Sequence, residues 1–524
     1  MLTATRVITF AVICFVHGVT APYVATVAPG SKNMQAPAVE RSIHINRPGA
    51  SDSRYAYIPF DVPPRTVRIG ISYQYARANG ANTIDIGLFD ARSTGSEPDP
   101  RGFRGWSGGR RSEFFISRAA ATPGYLPGAM PAGTWRVILG LYQVAPAGVD
   151  VSLKIQIETE GKMSPSPTSV LGKTEISTNN SATVSAAQNS PPIASPLHRK
   201  RIRQSVRWWN GDLHMHTVHS DGDWTIAELI SSARNAGLAF ISITDHNTAS
   251  HHPEIDRSLS GSGQPLVLRG EEITSYGGHA NAWGLPSGTW IDFRARPGDA
   301  PRISNIAAQA HRAGALISIN HPFALCGGCA WSYPEAVRDF DAIEVWNGAW
   351  DQTDELALTM WDRVLQDGRR ITAIASSDSH RPANPIGQPA TRVWTKDLSQ
   401  TSLLSAIRQG RVYLTSEPKR PVVTFEATTG KRRSRLGIGD EMRLSGAATI
   451  RLFINAETAP ADATISLISD GQVVRKFPAK TDVQPQMIEI ECQHDSYFRL
   501  EVRDGAKAVL ALTNPIYVKI RAGR

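Results

Sequence analysis

Between residues 207 and 419, short apolar runs alternate with stretches of helical periodicity, and no other feature narrows the fold as far. Phe240-Ile241-Ser242-Ile243-Thr244, Leu316-Ile317-Ser318-Ile319-Asn320, Ala342-Ile343-Glu344-Val345-Trp346 and Ile371-Thr372-Ala373-Ile374-Ala375-Ser376 read as buried strands. A further run, Leu266 to Gly270, leads into Glu271. Helices are expected between them. Thr225 and Glu228 form a capping box, Ile226, Leu229, Ile230 and Ala233 follow at helical spacing, and Gly237 stops the helix. Two more helices are predicted, from about Ser304 to Ala313 and from Leu356 to Leu365. Repeated strand–helix units imply an α/β fold with a parallel sheet or barrel.

What stands at the strand ends points to chemistry. In Gly211-Asp212-Leu213-His214-Met215-His216, alternate side chains of an extended chain share a face, so His214 and His216 can grip one ion together. Asp221 follows in a glycine-containing turn and can fold back over them. Taken alone, the pair reads equally well as two polar residues on an exposed strand. Downstream, however, His246, Glu271, His279, His321, Asp378 and His380 also fall where strands end. In a parallel barrel those ends meet on one face, so distant residues converge on one pocket. Neutral imidazole with carboxylate suits zinc, iron or manganese. His198 and His311 lack that placement and are read as surface residues; His219, His251 and His252 are read as substrate-facing or supporting groups.

Length and composition set the surroundings. A chain of 524 residues, 41% hydrophobic and 20% charged, holds several domains with ample cores. Its net charge of +9 is modest and partly local to His198-Arg199-Lys200-Arg201-Ile202-Arg203, and no basic stripe with interleaved aromatics supports a nucleic-acid partner. Residues 1–28 are expected to be a secretory signal: Arg6 supplies the positive end, Val7 to Val16 the apolar run, and Val19 and Ala21 a cleavage pattern. A retained N-terminal anchor is the alternative. Cleavage would make the protein periplasmic or secreted, with no membrane span in the mature chain. Cys326-Gly327-Gly328-Cys329 lacks the second pair a zinc knuckle needs, which leaves a loop-stapling disulfide or free thiols.

Residues 45–160 alternate with period two, as in Val149, Val151, Leu153, Ile155 and Ile157, and are expected to form a β-sandwich. Residues 161–206, rich in Ser, Thr, Pro and Ala, read as a disordered linker. Residues 420–524 return to strand patterning, with Asp470-Gly471 and Asp504-Gly505 as hairpin signals. Both β domains are read first as structural companions, with glycan or substrate binding as the alternative.

The motifs Trp209-Asn210-Gly211-Asp212-Leu213-His214-Met215-His216-Thr217, Ser220-Asp221-Gly222, Thr244-Asp245-His246-Asn247, Gly270-Glu271-Glu272, Gly278-His279-Ala280-Asn281, Asn320-His321-Pro322 and Ser377-Asp378-Ser379-His380 resemble those of PHP (polymerase and histidinol phosphatase) domain metallohydrolases. Within that family the chain looks closest to the CehA/McbA branch, named for carbaryl hydrolases. The resemblance spans roughly 207–416 and implies a distorted (β/α)7 barrel, here flanked by the two β-sandwiches. It also implies two or three divalent ions, zinc first, with manganese or iron as alternatives. By that resemblance His214, His216, Glu271 and Asp378 would hold one ion, and Glu271 would bridge to a second held with His279 and His321. Asp221, His246 and His380 would hold a third.

Divalent ions so held lower the pKa of water and offset charge building on an attacked phosphorus or carbonyl group. Glu271, Asp378, His380 and His246 are therefore the catalytic candidates. Asp221, His246 or His380 would protonate a leaving oxygen if the third ion were absent. Asn320, Asn347, Asp212 and Asp245 are candidates to support the ligands. Arg381, His219 and Asn347 are candidates to contact substrate. The leading expectation is a phosphoesterase acting on a small phosphate ester. A carbamate or carboxylic ester hydrolase, its pocket shaped by Trp283, Trp290, Trp331, Trp346 and Trp350, is the first rival, and a metal-stabilised binding module the second.

Overall fold

The structure is a computed structural model and describes residues 38–160, 206–258, 263–429, 435–480 and 485–521. The expected signal segment, 1–28, and the expected linker up to residue 205 lie outside the described residues.

The N-terminal strands are β1 (Ala38–Ile45), β2 (Tyr55–Val62), β3 (Thr66–Tyr75), β4 (Thr83–Phe89), β5 (Phe103–Gly108), β6 (Glu113–Ser117), β7 (Gly133–Gln143) and β8 (Val149–Thr159). They pair antiparallel into two sheets, ordered β1-β8-β3-β6 and β2-β7-β4-β5. Along β8, Val149, Val151, Leu153, Ile155 and Ile157 are buried while Asp150, Ser152, Lys154, Gln156 and Glu158 are exposed, the pattern of a one-sided strand. Those residues share a core with Trp135, Val137 and Leu139 of β7 and Ile84, Ile86 and Leu88 of β4, so the sheets pack face to face. Each such side chain contributes about 1.5–3 kcal/mol on burial. The second sheet is covered on its other face too. There Tyr55, Phe89, Phe103, Trp106 and Ile138 join the core of the central region. Phe103 stacks on Trp290 with ring centroids 3.8 Å apart, and Trp106 meets Phe293 at 4.8 Å.

The central strands are β9 (Arg207–Asp212), β10 (Phe240–Ile243), β11 (Leu266–Ser275), β12 (Gly278–Trp283), β13 (Leu316–Asn320), β14 (Ala342–Asn347), β15 (Thr372–Ser376), β16 (Ala390–Thr395) and β17 (Val412–Thr415). Their order is β15-β14-β13-β12-β11-β10-β9-β16-β17. β9, β10 and β11 pair in parallel, as do β13, β14 and β15. A parallel bridge between Met215 and Ser379 brings the segment beyond β15 back beside the extension of β9.

Helices α1 (Ile226–Ala236), α2 (His252–Ser258), α3 (Ala300–Arg312), α4 (Gln352–Gln366) and α5 (Gln400–Arg408) run between strands. The box of Thr225 and Glu228 caps α1 and left-handed Gly237 ends it. The strand–helix alternation breaks at β11 and β12, which form an antiparallel hairpin with no helix between them, and β12 is antiparallel to β13 as well. The region is thus mixed α/β and rich in strands.

The central ladder does not stop at residue 419. Val509–Thr513 pairs antiparallel with β17, carrying the sheet into the C-terminal strands. A four-stranded sheet containing Val422–Thr428 and Ala448–Glu457 packs on that extension through one shared core. At the Asp470-Gly471 turn both residues have positive φ, 50° and 80°, which suits a two-residue hairpin. Among the described residues no helix is long and apolar enough to cross a membrane.

Candidate metal centre

Beyond β9 the period of two continues through Leu213-His214-Met215-His216. Leu213 and Met215 enter apolar clusters, while His214 and His216 turn to the opposite side, and all four are fully buried. Asp212 accepts hydrogen bonds from the N–H groups of His214, Ser377 and Gly387 at 3.3, 3.1 and 2.7 Å, tying this segment to the end of β15. The following turn returns on itself through Gly222 N–H to Thr217 O at 3.0 Å. A Cβ on Gly222 would stand 2.5 Å from the His216 carbonyl, so only glycine permits the fold-back that delivers Asp221.

Five histidines converge on one carboxylate, that of Glu272. Its Oε1 lies 3.3 Å from His214 Nε2 and 3.2 Å from both His279 Nδ1 and His321 Nε2. Its Oε2 lies 2.8 Å from His246 Nδ1 and 3.5 Å from His216 Nε2. Asp378 Oδ1 faces His216 Nε2 at 3.0 Å and His214 Nε2 at 3.3 Å. Toward the surface, Asp221 Oδ1 lies 3.5 Å from His246 Nε2 and 3.4 Å from His380 Nε2. Three overlapping donor groups result: His214, Glu272 and His321; His214, His216 and Asp378; and His216, Asp221, His246 and His380. His321 and Asp378 both hold left-handed backbone, with φ of 24° and 50°. Strain of this kind persists where surrounding structure enforces it.

The donor set fits divalent cations. His214 Nε2, His216 Nε2, Asp221 Oδ1, Glu272 Oε2 and Asp378 Oδ1 are buried and meet their neighbours only as close ion-pair contacts, none with hydrogen-bond geometry. Stranding that many polar atoms is costly unless a cation completes them. Mixed nitrogen and oxygen donors suit zinc, manganese or iron.

Electrostatics give the same answer. Burial opposes charge on His214, yet Asp378, Glu272 and Glu344 outweigh it and raise its pKa well above the ordinary value. His246 is likewise lifted to about 10 against its burial, by Asp221 and Glu272, and His380 to about 9, by Asp221 and Asp378. Glu272 and Asp378 are held well below the usual carboxylate range despite burial, Glu272 by His214, His246 and His279 and Asp378 by His214, His216 and His380. His216 is lowered to about 4 by burial and by the neighbouring His380 and His246, and so stays neutral. The cluster therefore demands positive charge, which protons or metal ions can supply.

Glu271, expected as the bridging ligand, does not face the histidines; its neighbour Glu272 does. In the β11–β12 hairpin His279 pairs with Thr274 and Asn281 with Glu272, which puts Glu272, Thr274 and His279 on one face. Glu271 takes the opposite face, with Ile273. It is fully buried and accepts from Ile291 N–H at 2.6 Å, and burial raises its pKa well above the ordinary value, aided by Asp292.

The other expected site residues divide as follows. His214, His216, Asp221, His246, His279, His321, Asp378 and His380 are brought together. Asn320 donates to Glu272 Oε1 at 3.0 Å. Asn347 donates to Glu344 Oε2 at 3.0 Å and lines the cavity. Asp245 accepts from Ser220 Oγ at 2.6 Å, and Ser220 Oγ lies 3.5 Å from His216 Nδ1. Arg381 is exposed and does not line the cavity. His219 turns to Ser250 at 2.8 Å and Glu254 at 3.2 Å, away from the ligands.

Sequence reasoning missed Glu344 and Thr274 as well as Glu272. Glu344 Oε1 takes His214 Nδ1 at 3.1 Å, leaving Nε2 to face the cluster. Its signal was a lone charge inside the apolar run of β14. Thr274 Oγ1 meets His246 Nδ1 at 2.6 Å.

These side chains open into a cavity of about 540 Å³. One wall belongs to the N-terminal sheets: Asp85, Trp106, Arg110 and Tyr142 line it beside Asp221, His246, Glu272, His279, His321, Asp378 and His380. Tyr276 closes that wall by donating to Asp85 at 2.6 Å. The five tryptophans expected around the pocket do not line it. Trp283 and Trp346 are core residues.

No family model and no curated protein matches the chain. Among solved structures, a Bacteroides vulgatus two-domain protein, described as containing a predicted PHP-like metal-dependent phosphoesterase, is 19% identical. It aligns over 59% of this chain and 96% of its own, with a TM-score of 0.35. An amidohydrolase from Chromobacterium violaceum, with bound sulfate and no metal, is 17% identical over 38% of this chain and 96% of its own, with a TM-score of 0.27. At these TM-scores neither likeness fixes the fold or the chemistry.

Proposed function

We propose that this protein is a divalent-metal-dependent hydrolase of the PHP type, with a phosphoesterase activity on a small phosphate ester. The observation that carries the proposal is the convergence of five histidines on Glu272, with unpartnered buried donor atoms facing inward. His214, His216, Asp221, His246, Glu272, His279, His321, Asp378 and His380 would hold two or three ions. When bound, such ions supply Lewis acidity and a lowered pKa for water.

The chain's own residues do the rest. Glu344 and Asn320 orient His214 and Glu272. His246 and His380 line the cavity, where either can protonate a leaving oxygen if the outer ligand group holds no ion. Arg110, paired with Asp223 at 2.6 Å, brings a guanidinium to the cavity wall, suited to an anionic substrate.

On this reading the central region is the distorted (β/α)7 barrel of PHP proteins, with the β11–β12 hairpin built into it, and the chain is an exported member of the CehA/McbA branch. A second reading, a carbamate or carboxylic ester hydrolase with the same centre, is favoured by the aromatic wall of Trp106, Tyr142 and Tyr276.

Metal analysis of the purified protein, joined to a panel of phosphate esters, aryl carbamates and carboxylic esters, tests the proposal. We expect bound zinc, manganese or iron and phosphate-ester cleavage abolished by chelation. Turnover of carbamates or carboxylic esters alone would replace the first reading with the second. A metal-free protein whose activity ignores chelator would end both.

A further inference from the structure

The loop after His321 carries a second set of metal-type donors. Cys326 and Cys329 are joined as a disulfide, with Cα atoms 5.5 Å apart. Backbone bonds from Ala324 to His321 and from Trp331 to Pro322, at 2.9 and 2.8 Å, fasten the loop's base. On its outer side Gly327 and Gly328 pass against the Tyr142 ring, so the N-terminal sheet holds the loop in place. Both cysteines line the cavity. A ring nitrogen of His279 and both sulfurs lie within 4.8 Å of one another.

We propose that Cys326, Cys329 and His279 form a redox-gated site for a thiophilic divalent ion such as zinc, closed while the disulfide stands and opened by reduction. A C-x-x-C pair with one histidine is a recurrent zinc ligand set, and the open cavity leaves the fourth position to water. Zinc–sulfur bonds of about 2.3 Å set the two sulfurs of a tetrahedral site farther apart than bonded sulfurs, so they separate on reduction to take the ion between them. That separation is made by rotating the two cysteine side chains, with the loop's base and its glycines left in place.

The opening step balances simply. A dithiol reductant donates two electrons and two protons, the Cys326–Cys329 bond breaks, two thiols form, and the reductant leaves as its own disulfide. On taking up the ion, both thiols release their protons to solvent. His279 Nδ1 also stands 3.2 Å from Glu272, so one imidazole borders both donor groups.

The test uses the full chain, stripped of metal and divided into oxidised and phosphine-reduced samples, the phosphine then removed without air. Cobalt(II) is titrated into both, following stoichiometry and near-ultraviolet absorption. We expect one additional equivalent in the reduced chain, with thiolate-to-cobalt charge-transfer bands. Both should vanish in the double variant Cys326→Ser/Cys329→Ser, which keeps buried Cys492 as an internal control. Equal stoichiometry without a charge-transfer band in the reduced chain overturns the proposal, as does a band that survives in the double variant. Should the oxidised chain bind no cobalt while the reduced chain binds one equivalent with the band, the sulfur site stands and the hydrolase reading falls.

Discussion

Adjacent glutamates offer the sharpest test of the centre, because Glu271 and Glu272 differ in nothing but strand parity. Glu272 faces five histidines within 3.5 Å. Glu271 faces none of them; among the described residues its carboxylate accepts from Ile291 N–H at Oε2, and its Oε1 has no partner. Replacing each by glutamine keeps the volume and removes the ionisable group. For Glu272→Gln, removing one partner from a buried charged cluster costs about 3–5 kcal/mol. If that cost falls on the metal-bound state, affinity drops roughly 10²- to 4 × 10³-fold, since each 1.4 kcal/mol is about tenfold. For Glu271→Gln, burial already disfavours the charged carboxylate and raises its pKa well above the ordinary value, so an uncharged amide of similar shape suits the site. Its cost should stay within about 1 kcal/mol.

Metal content after dialysis, thermal denaturation and hydrolysis of the best substrate are then compared among three proteins. Glu272→Gln should emerge metal-poor and inactive, and Glu271→Gln metal-replete and active with an almost unchanged melting temperature. A metal-stripped Glu271→Gln beside a metal-loaded Glu272→Gln would refute the hairpin register and the site built on it.

Three further outcomes are expected. Glu344→Gln, which deprives His214 Nδ1 of its carboxylate, should lower metal affinity about 10–100-fold by competition with a fluorescent chelator, the usual loss for a supporting partner. Tyr142→Ala should raise KM with metal content unchanged, because Tyr142 lines the cavity far from the buried ligands' own bonds; a fall in kcat with constant KM would contradict a wall role. Asp85 tests linkage. Burial pushes its carboxyl to about 6, so the folded chain holds this proton more tightly than the unfolded one. The associated stability is complete below pH 4 and declines as pH rises through 6, by at most about 3 kcal/mol and less where solvent screens it. Urea denaturation of Asp85→Asn at pH 4.5 and 7.5 should lack that decline.

The histidines and carboxylates gathered beyond β9, β10, β13 and β15 were legible because parity and strand ends are local properties, whereas His279 stands at the start of β12 and Glu272 within β11. His214 and His216 follow from a period of two that Leu213 and Met215 enforce by entering the core. The choice between Glu271 and Glu272 was not local. It depends on which residue of β12 each opposes, and both are flanked by buried neighbours, so hydrophobic alternation does not mark the faces. The hairpin does mark them: once His279 is taken as a ligand and paired with Thr274, only the even positions of β11 can reach it.

The N-terminal sheets were harder to place, since nothing in a one-sided strand pattern tells what its other face meets. On β4 and β7 that face carries Asp85 and Gly140. A Cβ on Gly140 would stand 2.0 Å from Tyr276 Oη, so the missing side chain is what lets the tyrosine reach Asp85. Farther along, Arg111 donates to Val218 O and Ser220 O at 2.6 and 3.0 Å, and Arg110 pairs with Asp223. These bonds hold both sides of Asp221. The sheets read from sequence as companions therefore brace the turn that brings one ligand to the centre, and they furnish a wall of the cavity it opens into. A structural role and a site role meet in Arg110, in the connection from β5 to β6, which both lines the cavity and pairs with Asp223 beside the turn.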